Sequence, residues 1–240
     1  MSMASSCKSI APFSLLALSL LFSGHLFSAG MTPASSVVLV SADQGESIMN
    51  VRNTDEHAAL LYTSLETIAE DPEMLLVVSL PVTRVEGGDS QAVRFILQTK
   101  EPIKTQRLMR VTFEGIPPVQ SKVANSVGVT FRQNLPVIIS PKGLKPEPAP
   151  WRFLKWSVCG DRLKVTNDSL YVVRLALSGL LLPGNEKVNF RKAYVLPHAR
   201  EEFKLNNIKL NTAAIRIYPA SVYGYAVAEY DAPLIACTSK

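Results

Sequence analysis

Alternation of apolar and polar residues is the main pattern along this chain after residue 30. It is clearest in the runs Leu108 to Glu114 and Val127 to Ile139, where every second residue is apolar over several positions. A period of two places the apolar side chains on one face of a β-strand. Because a short polar stretch separates the two runs, we predict that they form neighbouring strands.

Similar short runs, separated by turn residues such as Gly, Asn and Asp, extend through the whole chain. In the first half they are Val37 to Val40, Ser47 to Arg52, Ala59 to Leu65, Met74 to Leu80, Gln91 to Gln98, Leu108 to Glu114 and Val127 to Ile139. About seven strands in about 110 residues are typical of an immunoglobulin-like sandwich. A second series follows residue 150. We therefore predict an all-β protein with two immunoglobulin-like β-sandwich domains, residues 31–141 and 151–240, joined by a stiff Pro-rich linker at 142–150.

Pro136 lies inside the run that begins at Val127. A proline has no N–H to give to a neighbouring strand, so it favours an edge strand. An edge strand with large apolar side chains invites pairing with another chain. We expect this strand to be a binding surface.

The N-terminal segment has the layout of a secretory signal. Lys8 precedes an apolar run from Ile10 to Phe27, and small residues from Ser28 to Gly30 follow it. A charged region, an apolar region and a cleavage site in this order predict a signal peptide over residues 1–30 that is removed near Gly30, rather than a membrane span.

Cleavage there would remove Cys7 and leave Cys159 and Cys237 in an exported chain. Disulfides persist in oxidising compartments, and an even pair is most simply a structural bridge. We predict a disulfide between these two cysteines.

Charge and motifs argue against several classes of function. The chain has a net charge of +5, but no cluster of Lys and Arg with interleaved aromatic residues indicates nucleic-acid binding. His57 and His198 each stand apart from any cluster of Cys or carboxylate ligands, so no metal site of ordinary spacing is predicted. Nucleophile, phosphate-loop and paired-carboxylate motifs are missing as well. We expect no catalytic residues, no cofactor and no small-molecule substrate.

Three segments in order carry a family resemblance: Arg84 to Gly88 with the strand after it, Arg110 to Pro118, and Val127 to Pro141. Together they resemble the periplasmic chaperones of fimbrial (pilus) subunits, the chaperone–usher family. The resemblance covers the first half of the mature chain well and the second half loosely. It implies a boomerang of two immunoglobulin-like domains that binds pilus subunits before an outer-membrane usher assembles them.

The resemblance also implies a donor strand. A subunit that lacks its last strand would be completed by the chaperone strand, with Val127, Val129 and Phe131 filling its groove. The alternative is that these three side chains pack into the protein's own core, which predicts the same alternation.

The expected carboxylate anchor departs from the best-known members. They use an Arg on the first strand and a Lys late in the donor strand. Here the first strand, Ser35 to Val40, has no Arg, and Pro136 takes the place of the Lys. This pattern is similar to the alternate and archaic branches, which makes Arg110 the first anchor candidate and Arg132 the second. The alternative for each of the two residues is that it is a solvated arginine on a sheet face with no role in binding.

A rival interpretation is a secreted immunoglobulin-like structural or adhesive pilus component. Such a protein needs an N-terminal donor extension of alternating apolar residues, and Met31 to Ser35 is too short and polar for that.

Overall fold

The computed structural model describes residues 30–117, 130–205 and 212–235, which form two β-sandwiches. The strands of the first sandwich are β1 (Met31–Pro33), β2 (Val38–Ser41), β3 (Glu46–Asn53), β4 (Ala59–Glu66), β5 (Leu76–Ser79), β6 (Val82–Val85), β7 (Ser90–Leu97), β8 (Arg107–Ile116) and β9 (Arg132–Ser140). They lie in two sheets, in the orders β1-β3-β7-β5 and β2-β9-β8-β4-β6. The prediction that the two clearest runs form neighbouring strands is confirmed, because β8 and β9 pair antiparallel.

The core of the first sandwich explains the alternation. Met109, Val111 and Phe113 of β8 are almost completely buried. Phe113 meets Phe95 of the opposite sheet edge to face, with ring centroids 6.4 Å apart. A sheet with one buried face needs apolar side chains at every second position. In a sandwich, the inward-facing side chains of the two sheets pack against one another and form the core.

Strands β1 and β2 follow one another in the chain but belong to different sheets. β1 pairs antiparallel with β3, whereas β2 pairs parallel with β9, from Val38 opposite Val137 to Ser41 opposite Ser140. The prediction of an edge strand is therefore wrong for the second half of β9. It holds for Arg132 to Pro136, which pair with β8 and have no second partner strand among the described residues.

The second sandwich has its own core. Its strands are β10 (Leu154–Cys159), β11 (Arg162–Asn167), β12 (Val173–Arg174), β13 (Ser178–Leu182), β14 (Glu186–Asn189), β15 (Tyr194–Val195), β16 (Arg200–Lys204), β17 (Ala214–Ile217) and β18 (Tyr230–Ile235), and a 3₁₀ helix at Pro150–Phe153 precedes them. Trp156, Phe190 and Phe203 pack in a row, with ring centroids 5.6 and 5.1 Å apart. The all-β prediction is confirmed; the domain bounds stay a prediction.

A small apolar cluster joins the two sandwiches. Its buried members are Val37, Leu108, Ile138 and Val172. Gln106 fixes their relative position, because its main-chain N–H donates to the Leu170 carbonyl oxygen at 2.8 Å and its side-chain oxygen accepts from the Val172 N–H at 2.9 Å.

Polar contacts also join the two sandwiches. The Glu70 carboxylate accepts hydrogen bonds from the Lys192 ammonium and, at 3.1 Å, from the Tyr194 hydroxyl. The Ser36 hydroxyl donates to the Gly224 carbonyl oxygen at 3.3 Å. The two sandwiches are thus held by polar contacts as well as by the apolar cluster.

Candidate binding edge and interdomain cleft

The first half of β9 offers an open edge. Arg132 to Pro136 pair with Glu114 to Arg110 of β8, while the parallel pairing with β2 begins only at Val137. Main-chain N–H and C=O groups on the free side have no described strand to pair with, which is the arrangement that an added strand uses. Pro136 stands at the junction between the open and the paired halves.

The side chains of β9 alternate between two environments. Leu135, Val137 and Ile139 pack against the core of the first sandwich. Ile138 points the opposite way, into the cluster between the sandwiches. The inner face of β9 is therefore continuous with the sandwich core.

Of the predicted donor residues, Phe131 lies just before β9 and is 48% exposed. It lies beside Gly30, where an added Cβ atom would come within 3.5 Å of the Phe131 Cβ atom. Val127 and Val129 lie outside the described residues. Phe131 is thus about half exposed to solvent, and the donor role of all three residues stays a prediction.

The outer face of the same sheet carries a polar network around Arg110. Arg110 donates to the Asn134 side-chain oxygen at 2.5 Å and to the Asn134 main-chain oxygen at 2.8 Å. The Asn134 amide donates to the Thr112 hydroxyl at 3.3 Å, and Thr112 donates to Glu66 at 3.1 Å. Burial lowers the pKa of Arg110, and the nearby Glu66 carboxylate opposes this shift. Arg110 carries a positive charge, because a guanidinium is not deprotonated in proteins.

Arg132 is engaged differently. Its guanidinium donates to the Glu114 carboxylate at 2.7 and 3.1 Å. This hydrogen-bonded ion pair raises the pKa of Arg132. Of the two anchor candidates, Arg132 already has a carboxylate partner, whereas Arg110 has no carboxylate within 4.0 Å among the described residues.

A third arginine interacts electrostatically with Arg110 and was not predicted from the sequence. Arg174 belongs to β12 in the second sandwich, opposite Tyr194 of β15. Its Nη1 atom is buried and has no hydrogen-bond partner among the described residues. Burial first, and then the positive charge of Arg110, lowers the pKa of Arg174. Local sequence gives no signal for this electrostatic interaction, because the two arginines lie on strands of different sandwiches.

The described part of the chain gives no indication of other chemistry. It holds no group of three or more His, Cys, Asp or Glu side chains that could bind a metal ion. Within the same residues, no helix is long and apolar enough to cross a bilayer. Cys159 ends β10, and Cys237 falls outside the described residues.

Comparison with known proteins identifies the class. The family model of the pili and flagellar-assembly chaperone, PapD N-terminal domain, matches residues 30–145. The fimbrial chaperone YhcA of Escherichia coli (strain K12) is 42% identical over 202 residues, which cover 84% of this chain and 89% of YhcA.

Two solved structures share the fold. That of the Salmonella enterica SafA pilin in complex with the SafB chaperone matches with a TM-score of 0.72 at 19% identity, over 88% of this chain and 98% of the other. That of the E. coli chaperone DraB matches with a TM-score of 0.70 at 20% identity, over 86% and 98% of the two chains.

The fold therefore places this protein in the class of all-β proteins with two immunoglobulin-like domains. More particularly, the chain belongs to the family of fimbrial chaperones, which confirms the resemblance seen in the sequence. This is a family of chaperones rather than of enzymes.

Proposed function

We propose that this protein binds fimbrial subunits in the periplasm by strand addition at β9 and passes them to an outer-membrane usher. The observation that carries the proposal is the open edge from Arg132 to Pro136, beside an exposed Phe131. An added subunit strand would gain main-chain hydrogen bonds along this edge. Phe131, with Val127 and Val129 before it, would supply apolar side chains to the groove of the subunit.

Arg110 is our candidate for holding the terminal carboxylate of the subunit. A carboxylate that leaves water needs a cation or several hydrogen-bond donors to offset its desolvation. Arg110 is partly buried, is fixed by a neutral amide and lies one strand away from the open edge. Its planar guanidinium can bind both carboxylate oxygens at once.

Export and a disulfide complete the proposal. We infer that residues 1–30 are removed on export and that Cys159 and Cys237 then form a bridge. The register of β10 and β18 supports it: Trp156 lies opposite Leu234 and Ser157 opposite Ile235 in parallel strands. The end of β18 thus lies alongside β10, the strand that Cys159 ends.

We infer a role without catalysis or cofactor, and the rival role of a structural pilus component gains no support. A self-assembling subunit needs a free N-terminal extension, but Met31 to Pro33 pair with β3 of the protein's own sheet. The residues that a donor extension would use are thus part of the first sandwich.

Co-expression with a candidate fimbrial subunit tests the proposal. The subunit and the chaperone are produced together with export signals, and the periplasmic fraction is purified through a tag on the chaperone. We expect a one-to-one complex and a subunit that survives limited proteolysis in it. A subunit that neither co-purifies nor is protected would refute the chaperone role proposed here.

A further inference from the structure

A small cavity lies inside the second sandwich, beside its row of aromatic side chains. Trp156, Phe190 and Phe203 line it, and its volume is about 10 Å³. That volume is close to the smallest that holds one water molecule. Lys192 and Glu201 line the cavity as well, and their side chains are 32% and 26% exposed, so the mouth of the cavity lies on their side.

Trp156 brings an unpaired donor to this cavity. The residue is 1% exposed, and its indole Nε1 atom is buried without a hydrogen-bond partner among the described residues. An indole N–H can only donate, and a buried donor that stays unpaired costs free energy. An acceptor small enough for the cavity would pair this N–H.

Glu201 brings an acceptor to the same cavity. Trp156 of β10 lies opposite Val165 of β11, and Val165 lies opposite Glu201 of β16. Residues directly opposite each other share one face of a sheet, and two strand spacings separate Trp156 from Glu201 by about 10 Å. The two side chains therefore reach the cavity from the same face of the sheet, the indole from the core and the carboxylate from the edge strand.

The charges around the cavity favour a neutral occupant. The Glu201 carboxylate accepts a hydrogen bond from Lys192 at 3.2 Å, and Lys192 also binds Glu70 of the first sandwich. With Arg191, which lines the cavity too, two cations accompany two carboxylates, and their formal charges cancel. An ion in the cavity would therefore meet no excess charge to offset its desolvation. An apolar occupant would leave the indole N–H of Trp156 unpaired. A water molecule fits both the volume and the charge.

We propose that this cavity is a binding site for one buried water molecule, which accepts a hydrogen bond from the Trp156 Nε1–H and donates one to the Glu201 carboxylate. Lys192 lies at the mouth of the site and is held there by Glu201 and, across the domain boundary, by Glu70. The contact between the two sandwiches therefore closes the site, and loss of the Glu70 contact speeds the exchange of this water with solvent. The inference does not depend on the proposed function.

The first experiment detects the water in the exported protein by NMR. The chain has two tryptophans, and the indole N–H signal of Trp156 is assigned with the Trp151→Phe variant. We expect cross-peaks between this N–H and water in laboratory-frame and rotating-frame Overhauser spectra, with the opposite signs that a long-lived bound water gives. Tyr194→Phe removes a hydroxyl group of the cavity lining that exchanges protons with water, and it should keep the cross-peaks. Their absence in the wild type, or their loss in Tyr194→Phe, would overturn the water site.

The second experiment tests the closure of the site by the domain contact. Exchange of the Trp156 indole N–H for deuterium is measured in the wild type, in Glu70→Gln and in the control Glu86→Gln, whose ion pair with Arg84 lies within the first sandwich. The main-chain amides of β11, which lies between β10 and β16, report on opening of the whole second sandwich. Glu70→Gln should speed exchange of the indole N–H at least fivefold more than exchange of these amides, and Glu86→Gln should leave both within twofold of the wild type. Equal acceleration of the indole and the amides in Glu70→Gln, or no acceleration, would overturn the closure.

Discussion

Arg110 donates hydrogen bonds to both the side-chain and the main-chain carbonyl oxygen of a single residue, Asn134, at 2.5 and 2.8 Å. Because Asn134 is neutral, these bonds hold the guanidinium in place without cancelling its charge. The strand that Asn134 belongs to is also the strand with the open edge. A cation and an unpaired edge are therefore fixed to each other by direct hydrogen bonds.

The Arg110→Ala variant should capture subunit more weakly. Loss of the cation would leave a desolvated carboxylate unpaired, and truncation of one partner of such a pair costs roughly 2 to 5 kcal/mol. Arg110→Lys should restore capture only in part, because an ammonium cannot replace the planar two-oxygen contact. The measurement is the dissociation constant of the complex beside the melting temperature of the free variant. Unchanged capture would refute the anchor, and a loss confined to Arg132→Ala would assign the role to that residue.

The Phe131→Asp and Val129→Asp variants should lose capture while the chaperone stays folded. Phe131 is 48% exposed, and an exposed substitution changes the free energy of unfolding by about 0.5 kcal/mol or less. In the subunit groove the cost is larger, because burial of a Phe side chain is worth roughly 1.5 to 3 kcal/mol. Ile48→Asp, an exposed residue of the opposite sheet, is the control and should leave capture intact. An unfolded Phe131→Asp variant would assign the side chain to the core instead.

Protein isolated from an oxidising periplasm should have no free thiol on Cys159 or Cys237. Alkylation followed by mass spectrometry counts the free thiols, and digestion identifies a linked peptide pair. The chain-entropy estimate for a loop of about 80 residues is on the order of 4 kcal/mol, so reduction should lower the melting temperature of the second sandwich. Two alkylated cysteines would refute the bridge.

Gly224→Ala should weaken the contact between the sandwiches. Gly224 has φ of +87°, and a Cβ there would lie 2.1 Å from the Ser36 hydroxyl oxygen and 3.4 Å from a Val37 methyl group. Gly88→Ala is the control, because Gly88 has φ of +81° and open space around it. Both variants should lose about 1 to 2 kcal/mol from backbone strain, so a clearly larger loss for Gly224→Ala in chemical denaturation measures the steric part. Equal losses would show that the contact with Ser36 adapts freely.

The Glu70–Lys192 pair should give the domain contact a pH dependence. The hydrogen bond from Lys192 lowers the pKa of Glu70, and that from Glu70 raises the pKa of Lys192. The Glu70 contribution is thus present above its unfolded pKa of about 4.3 and is lost as the pH falls through the lower folded value. The Lys192 contribution is present below about 10.4 and is lost as the pH rises through the raised folded value.

The melting temperatures of the wild type and Glu70→Gln, followed from pH 3 to pH 8, test this dependence. Their difference should correspond to no more than about 1 kcal/mol at neutral pH, because the pair is partly solvated, and it should shrink below about pH 4. The same comparison for Glu86→Gln, whose partner Arg84 lies in the same sandwich, shows how much any surface ion pair contributes. A difference that stays constant across the pH range would contradict the prediction.

The sequence predicted the elements that have a buried face and missed those that do not. Alternation located β8 because Met109, Val111 and Phe113 line a core. It missed β6 (Val82–Val85), where only Val85 is buried. Short strands held mainly by main-chain pairing leave little pattern in the side chains.

Sequence could predict the residues of the candidate site that lie on a single strand, but not the relations between residues of different strands. Arg110 could be named because its own strand supported the family resemblance. Its contact with Asn134 depends on the register of β8 and β9, and its relation to Arg174 depends on the packing of two domains. Local sequence determines neither the register of these two strands nor the packing of the two domains.

The crossing of the chain from β1 to β2 limits the length of the free edge of β9. Parallel pairing with β2 begins at Val137, so the described free edge of β9 runs from Arg132 to Pro136. At about 3.3 Å per residue this segment offers a partner roughly 17 Å of ladder. A visiting strand that continues past Pro136 would meet β2 and would have to displace it, so the reach of the partner along the described chain is limited at that point by the chaperone's own first strands.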